Sequence, residues 1–392
     1  MKHRLHIGLL GKIFIGMAAG VAFGYVAPLW IGRLFATFNY VFSQFLGFLI
    51  PLIIVGFVAP AIAELGERAG KMLVFTAALA YTATLIAGFT AFLTADSFFP
   101  EMLAGQFINV SASGSLNAPA PYFTVDIPAL IPVTTALVLA FMVGIGCAFI
   151  KETTLKNAVF EFRSIVSKTI LKCVIPLLPY YICGIFLTMA MEGKVGAILT
   201  AFSKIIVVIF ILHVGILVAQ YCIAAIFFRR NPFKMLWTMM PAYFTALGTQ
   251  SSAATIPVTL RQSIAMGIDK DVAGFVVPLC ATIHMSGSTL KIVACALALM
   301  ILQGISYDFA SVSEFIAMLG VTIIAAPGIP GGAIMASLGL LSGILGFTDA
   351  QNAMMIALYI AMDSFGTACN VTGDGAIAAI VNSVFGKKQP EL

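Results

Sequence analysis

The chain has 392 residues, 61% hydrophobic and only 9% charged, with a formal charge of +5. Its mean hydropathy of +1.06 lies far above that of soluble globular domains, so lipid is the expected solvent. The basic residues are spread over many loops, which argues against a nucleic-acid surface and leaves the positive balance as an orientation signal.

A spanning helix needs about 20 mostly apolar residues, and apolar runs fill the chain from Ile7 to Phe385. In chain order they predict spans over 7–30, 36–63, 70–95, 127–150, 169–191, 201–228, 272–302 and 352–385. The runs are continuous, as over 205–228, where a strand of an outer-membrane barrel would alternate apolar and polar residues. The first run reads as a span and not as a cleaved leader. It ends in Pro28, Leu29 and Trp30 without a small-residue cleavage pattern, and further spans follow. Cys147, Cys173, Cys183, Cys222, Cys280, Cys295 and Cys369 lie in apolar stretches without metal-ligand spacing and read as buried free thiols.

Lys and Arg gather on cytoplasmic loops. Lys2, Arg4 and Lys12, Arg68 and Lys71, the stretch 151–172, Arg229, Arg230 and Lys234, Arg261 and Lys270, and Lys387 and Lys388 therefore read as inside. The stretch from Asp96 to Asp126, the segment from Asp308 to Glu314 and the region of Asp349 carry acids without bases and read as outside. Both termini come out cytoplasmic, in what reads as a bacterial inner membrane. Two apolar pieces then remain, at 235–268 and 315–347, each flanked by loops of one side. A piece that enters and leaves on one side is a re-entrant hairpin. The first turns within Gly248–Pro257 and the second within Ala325–Gly332, where Gly and Pro break the helix. Irregular backbone at membrane depth is tolerated only where it is buried in protein or lines a watery cavity, so opposed broken segments point to a central binding site. The expected fold is thus all-α and polytopic, with eight transmembrane helices and two opposed hairpins.

The last span carries Asp363, Thr367, Asn370 and Asp374 at offsets of 0, 4, 7 and 11, one face of a helix. A charge buried in a span costs at least about 2.5–3.5 kcal/mol. Bound cations or an amine would offset this. Lys291 is the only Lys or Arg between Asp271 and Lys387, so at most one of the two acids gains such a partner there. An intramembrane aspartyl protease also needs two acids, but an eleven-residue separation at about 1.5 Å per residue holds these about 16 Å apart, too far to share a proton.

Four motifs, SSAATIPVT at 251–259, PLCATIHMSGST at 278–289, GIPGGAIM at 328–335 and NVTGD at 370–374, resemble the dicarboxylate/amino acid:cation symporter family, the glutamate transporter family, over nearly the whole chain. The resemblance implies a homotrimer, a secondary transporter and no enzymatic activity or resident cofactor. Its scaffold would take residues 1–66 and 99–195, the latter including an extracellular loop. A transport domain of residues 67–98 and 196–392 would cross the membrane as an elevator, with the second hairpin tip as the outer gate. By position, Asp363 would hold a substrate amino group, and Thr367, Asn370, Ser251, Ser252 and Gly328, beside Gly366, would hold the rest. Asp374 with the carbonyls of Cys280 and Asn370 would form one sodium site. Carbonyls near Thr282 and over Ile323 to Ala326 would form a second.

Several positions depart from that pattern. Gly366 and Gln250 stand where an arginine would clamp a substrate side-chain carboxylate, so the bidentate fork is missing. The positions of a third sodium site carry Thr76, Leu79, Ala80, His284 and Ser286, too few hard ligands for sodium. His284, Ser288 and Lys291, at offsets of 0, 4 and 7, would share a face that replaces the lost ion, or Lys291 would meet a substrate anion. Alternatively, His284 bonds locally and Lys291 snorkels to water. His213, alone in an apolar helix, reads as structural. The first expectation is sodium-coupled symport of a small neutral amino acid; the rival is a proton- or sodium-coupled carrier of a dicarboxylate or other organic anion using Lys291. The partners expected are a small-molecule substrate, the bilayer and two further copies of the chain.

Overall fold

The computed structural model describes residues 9–67, 71–104, 119–193, 195–324 and 331–386, and all regular elements among them are helices. Helices α1 (Leu9–Val26), α2 (Leu29–Glu67), α3 (Lys71–Met102) and α4 (Val133–Phe149) are followed by α5 (Thr154–Thr169), which continues through a π turn at Ile170–Val174 into α6 (Ile175–Met191). Then come α7 (Val195–Phe228), α8 (Pro232–Thr238), α9 (Met240–Thr249), α10 (Ser252–Ala265), α11 (Lys270–Ile283) and α12 (Ser286–Leu302). The last four are α13 (Phe309–Ile324), α14 (Gly332–Gly343), α15 (Asp349–Ala361) and α16 (Asp363–Phe385). By length and composition, five helices among the described residues can cross a membrane, or six if α15 and α16 form one bent span; α1 and α4 are shorter and apolar. Their outer faces are greasy: Phe149 is 84% exposed and Val26 78%, acceptable against acyl chains and not against water.

The helices pack in two groups, α1, α2, α4, α5 and α6 on one another, and α3 with α7 to α16. Small residues drive the closest approach. Gly16, Gly20 and Gly24 recur every fourth residue along α1 and face the α6 backbone; a Cβ at Gly16 would lie 2.5 Å from the Pro179 carbonyl oxygen. The chain over 119–132 lies along α2, where Thr37 Oγ1 accepts from the Tyr122 amide at 2.8 Å. The second group is knit around α16, which touches α3, α7, α9, α10, α11, α12 and α15.

The two hairpins fold as the sequence suggests, with α9 against α10 and α13 against α14. The first turns more tightly than expected. Only Gln250, left-handed at φ 53°, and Ser251 interrupt it, because Ser251 caps α10 at once by accepting from the Ala254 amide at 3.3 Å. Ala253 to Pro257 are therefore helical. The second tip, 325–330, lies outside the described residues, as do Lys2, Arg4, Arg68, Lys387 and Lys388.

Two expectations of continuous helix and one of a loop require correction, although the segment Lys270–Leu302 remains long and apolar enough to span. The expected span 272–302 is broken between α11 and α12, where His284 is extended at ψ 104°. The expected span 352–385 is two helices bent by 62° at Met362. The basic stretch 151–172 is not a loop throughout, since its larger part forms α5 and the π turn. Of the cysteines, Cys173 and Cys222 are exposed and not buried, and all seven are free.

Candidate functional site

The bend at Met362 makes Asp363 the first residue of α16, so the whole polar stripe lies on one straight helix. Asp363, Thr367, Asn370 and Asp374 are all buried. Both hairpins reach the first turn of that helix through neighbouring residues. Asp363 Oδ2 accepts from the Gly331 amide at 2.7 Å, at the start of α14, and Ser364 Oγ accepts from Gln250 Nε2 at 3.0 Å, at the tip of the first hairpin. One residue from each of the two broken segments thus meets the start of α16, where the helix dipole favours anions.

Each acid of the stripe has a partner inside the protein. Lys291 Nζ lies 3.3 Å from Asp363 Oδ1 and donates to the Tyr359 carbonyl at 3.3 Å, with its ammonium over the Tyr359 ring; the side chain has no exposure. His284 Nδ1 lies 2.9 Å from Asp374 Oδ1. The sequence allowed one partner for the two acids because it counted only Lys and Arg; His284 supplies the second.

Small residues admit these partners. A Cβ at Gly366 would lie 3.0 Å from Lys291 Nζ, so the position that lacks an arginine is the one over which the lysine ammonium sits. A Cβ at Gly373 would meet Gln220 Oε1 at 2.5 Å and His284 Cε1 at 2.6 Å.

The break after His284 creates a helix start in the protein interior, and its amides need acceptors. Asn370 Oδ1 supplies them, accepting from Gly287 N–H at 2.8 Å and Ser288 N–H at 3.3 Å, while Asn370 Nδ2 donates to Ser288 Oγ at 2.9 Å. His284 is held by its own amide on the Cys280 carbonyl at 2.9 Å, and by Gln220 Nε2 at 3.3 Å from its Nε2. In that orientation of the Gln220 amide, Nε2 of the ring accepts and Nδ1–H donates to Asp374. Gln220 Nε2 also donates to Ser286 Oγ at 3.1 Å.

The remaining positions are placed as follows. Ser252 and Ile323 are buried, and Thr282 is exposed with its hydroxyl on the Leu279 carbonyl at 2.7 Å. Gly328 and Ala326 lie outside the described residues. His284 does not share a helical face with Ser288 and Lys291, because the chain is extended at 284 and α12 starts at Ser286; the two cationic side chains serve different acids. His213 Nε2 lies 2.9 Å from the Gly287 carbonyl and ties α7 to α12. Thr76 is buried on α3 and donates to its own helix at the Met72 carbonyl, and Ala80 is buried near it.

Sequence reasoning missed Gln220, Tyr359, Ser364 and Gly331. Gln220 carried a usable signal, a lone amide in the apolar run 205–228. Tyr359 and Ser364 carried none, since their roles depend on the bend at Met362.

Residues 9–384 match the Sodium:dicarboxylate symporter family. Excitatory amino acid transporter 2 of Mus musculus is 30% identical over 251 residues, which cover 62% of this chain and 43% of that protein. The same protein of Rattus norvegicus matches equally, at 30% over 251 residues, and that of Homo sapiens is 28% identical over 251 residues. The chain spans less than half the length of these relatives. With the family match running from α1 to the end of α16, over a helical frame whose broken segments converge on one buried polar stripe, the chain belongs to the sodium:dicarboxylate symporter family, a family of membrane transporters and not of enzymes.

Proposed function

We propose that the chain is a secondary symporter for a small organic anion without an α-amino group, a dicarboxylate first of all, driven by inward sodium. One observation carries the choice of substrate: the Lys291 ammonium occupies Asp363. A substrate amine would have to displace a buried lysine from its counter-ion, leaving that lysine uncompensated. This disfavours the neutral amino acid expected from the sequence. An amine-free carboxylate would instead find the Lys291 ammonium and the start of α16, with the hydroxyls of Thr367 on that helix and of Ser251 at the first hairpin as further ligands. As a point charge, a lysine selects an anion with less geometric demand than an arginine fork.

Sodium is favoured by family membership, with Asp374 and Asn370 retained in α16. A specific contact favours a second reading, in which a proton is the coupling ion: His284 Nδ1 on Asp374 Oδ1 at 2.9 Å engages a carboxylate that a sodium ion would need. A homotrimer in a bacterial inner membrane, with both termini cytoplasmic, fits the family and the loop charges. An elevator movement of α3 and α7 to α16 against α1, α2, α4, α5 and α6 fits the packing in two groups.

Uptake into proteoliposomes tests the proposal, using matched carboxylates with and without an amine under an imposed sodium gradient at constant pH, or an imposed pH gradient without sodium. Uptake of dicarboxylates that survives Asp363→Asn supports it. Uptake confined to amino acids and abolished by Asp363→Asn rejects it.

A further inference from the structure

We infer that Tyr359 is a positioning residue for anion binding: the face of its ring holds the Lys291 ammonium part-way off Asp363, and the strength of that hold sets the affinity for a substrate carboxylate. The inference rests on the anion-symport reading above and names the residue that governs its affinity.

The bend at Met362 ends α15 in the protein interior, where the last carbonyls of a helix lack helical partners. Tyr359 lies in that last turn. Its carbonyl accepts from the Met362 amide at 3.2 Å and from Lys291 Nζ at 3.3 Å, at the helix end whose dipole favours a cation. The ring of the same residue covers the ammonium, with Nζ 3.3 Å from its centroid, well within the reach of a cation–π contact. Both side chains are buried, so water does not compete for either contact. The ring is fixed at its far end as well. Its hydroxyl donates to Ser288 Oγ at 3.2 Å, and the same oxygen accepts from Asn370 Nδ2 at 2.9 Å, which ties the ring to α12 and to the polar stripe.

Charge-assisted N–H···O contacts close to about 2.7–2.9 Å where nothing competes. Lys291 Nζ stands instead 3.3 Å from Asp363 Oδ1 and 3.3 Å from the Tyr359 carbonyl. The ammonium is shared among a carboxylate, a carbonyl and a ring face, and closed on none of them. A lysine held in this way turns toward a second carboxylate without first breaking a closed pair, and the ring keeps it compensated as it turns. Without the π face the ammonium would settle on Asp363, and an arriving anion would have to open a tighter pair. Tyr359 thus acts on the substrate through Lys291, by weakening the claim of Asp363.

The test weakens the π face while keeping its shape. In the full-length protein, Tyr359→Phe serves as the reference, and mono-, di- and trifluorophenylalanine placed at position 359 by nonsense suppression withdraw electron density from the ring in steps. Sodium-driven succinate uptake into proteoliposomes is measured for each. KM should rise with every step, by about tenfold from phenylalanine to trifluorophenylalanine, while the maximal rate changes much less. Tyr359→Leu should raise KM at least as far. A ring that serves only as packing gives a flat series, because fluorine hardly alters its size; a flat KM series with succinate still transported overturns the inference and leaves the anion reading standing. Loss of uptake in folded Tyr359→Phe overturns it too, since the role would then belong to the hydroxyl. If the unmodified protein takes up aspartate and not succinate, the anion reading falls and takes the inference with it.

Discussion

The two ends of the polar stripe on α16 hold the same kind of acid in different company. Asp363, at the first turn, faces the Lys291 ammonium on α12, and it reaches the second hairpin. Asp374, three turns further on, faces the His284 imidazole, which the Gln220 side-chain amide holds from its other ring nitrogen. Both acids are buried and neither is left without a partner. On the proposed function the pairs differ in what they would exchange: the first would meet a substrate anion, and the second would yield Asp374 to a coupling cation. A stripe with one acid near each end therefore holds two unlike pairs, and the facing partner makes them so.

The comparison breaks most severely at Lys291. Lys291→Met strands a buried carboxylate and should cost about 3–5 kcal/mol and abolish uptake, with Lys291→Met/Asp363→Asn recovering most of the stability but not transport. Thermal unfolding in detergent and uptake in proteoliposomes read these out. An undiminished melting temperature for Lys291→Met means that the pair does not form. At the other end, His284→Ala removes a hydrogen bond to a charged group and should cost about 1.5–3 kcal/mol. Here sodium should stabilise the variant more than the parent, because the ion gains access to Asp374; equal sodium shifts in the two proteins would contradict a sodium site at that end.

Smaller effects sharpen the contrast. Gly373→Ala drives a Cβ to 2.5 Å from Gln220 Oε1 and should cost about 1–3 kcal/mol through overpacking. Gly366→Ala should cost less, since its neighbour at 3.0 Å is the far end of a flexible lysine, and should show mainly as weaker substrate binding in flux assays. Smallest of all, Gln250→Ala deletes the bond to Ser364 and should cost about 0.5–1.5 kcal/mol. A larger loss would show that the first hairpin is held chiefly by its tip.

Much of this architecture was legible in the sequence, because lipid makes the rules strict. Continuous apolar runs gave the helical class, the two interruptions near 250 and 330 marked where α9 turns into α10 and α13 is followed by α14, and a 3.6-residue period gave the stripe at 363, 367, 370 and 374. The breaks at His284 and Met362 were not legible. No proline or glycine marks either point, and each is stabilised from elsewhere: Asn370 caps the amides of Gly287 and Ser288, and the hairpin residues Gly331 and Gln250 bind the first turn of α16. The pairing of Lys291 with Asp363, and of His284 with Asp374, joins residues 72 and 90 positions apart, a distance over which no local pattern operates. Gly366 looked like a loss of family chemistry, and Gly373 stood unremarked inside the matching motif at 370–374. In the folded chain, they are the space in which the replacement partners sit.

The account turns on the site carrying its own cation, and calorimetry on the purified protein in nanodiscs examines this directly with pairs of ligands that differ only by an amine, such as succinate and aspartate. We expect the amine-free member to bind at least ~tenfold more tightly, a difference of about 1.4 kcal/mol, and that preference to narrow in Lys291→Met/Asp363→Asn. Tighter binding of aspartate, or of alanine over its amine-free counterpart propionate, would contradict the account.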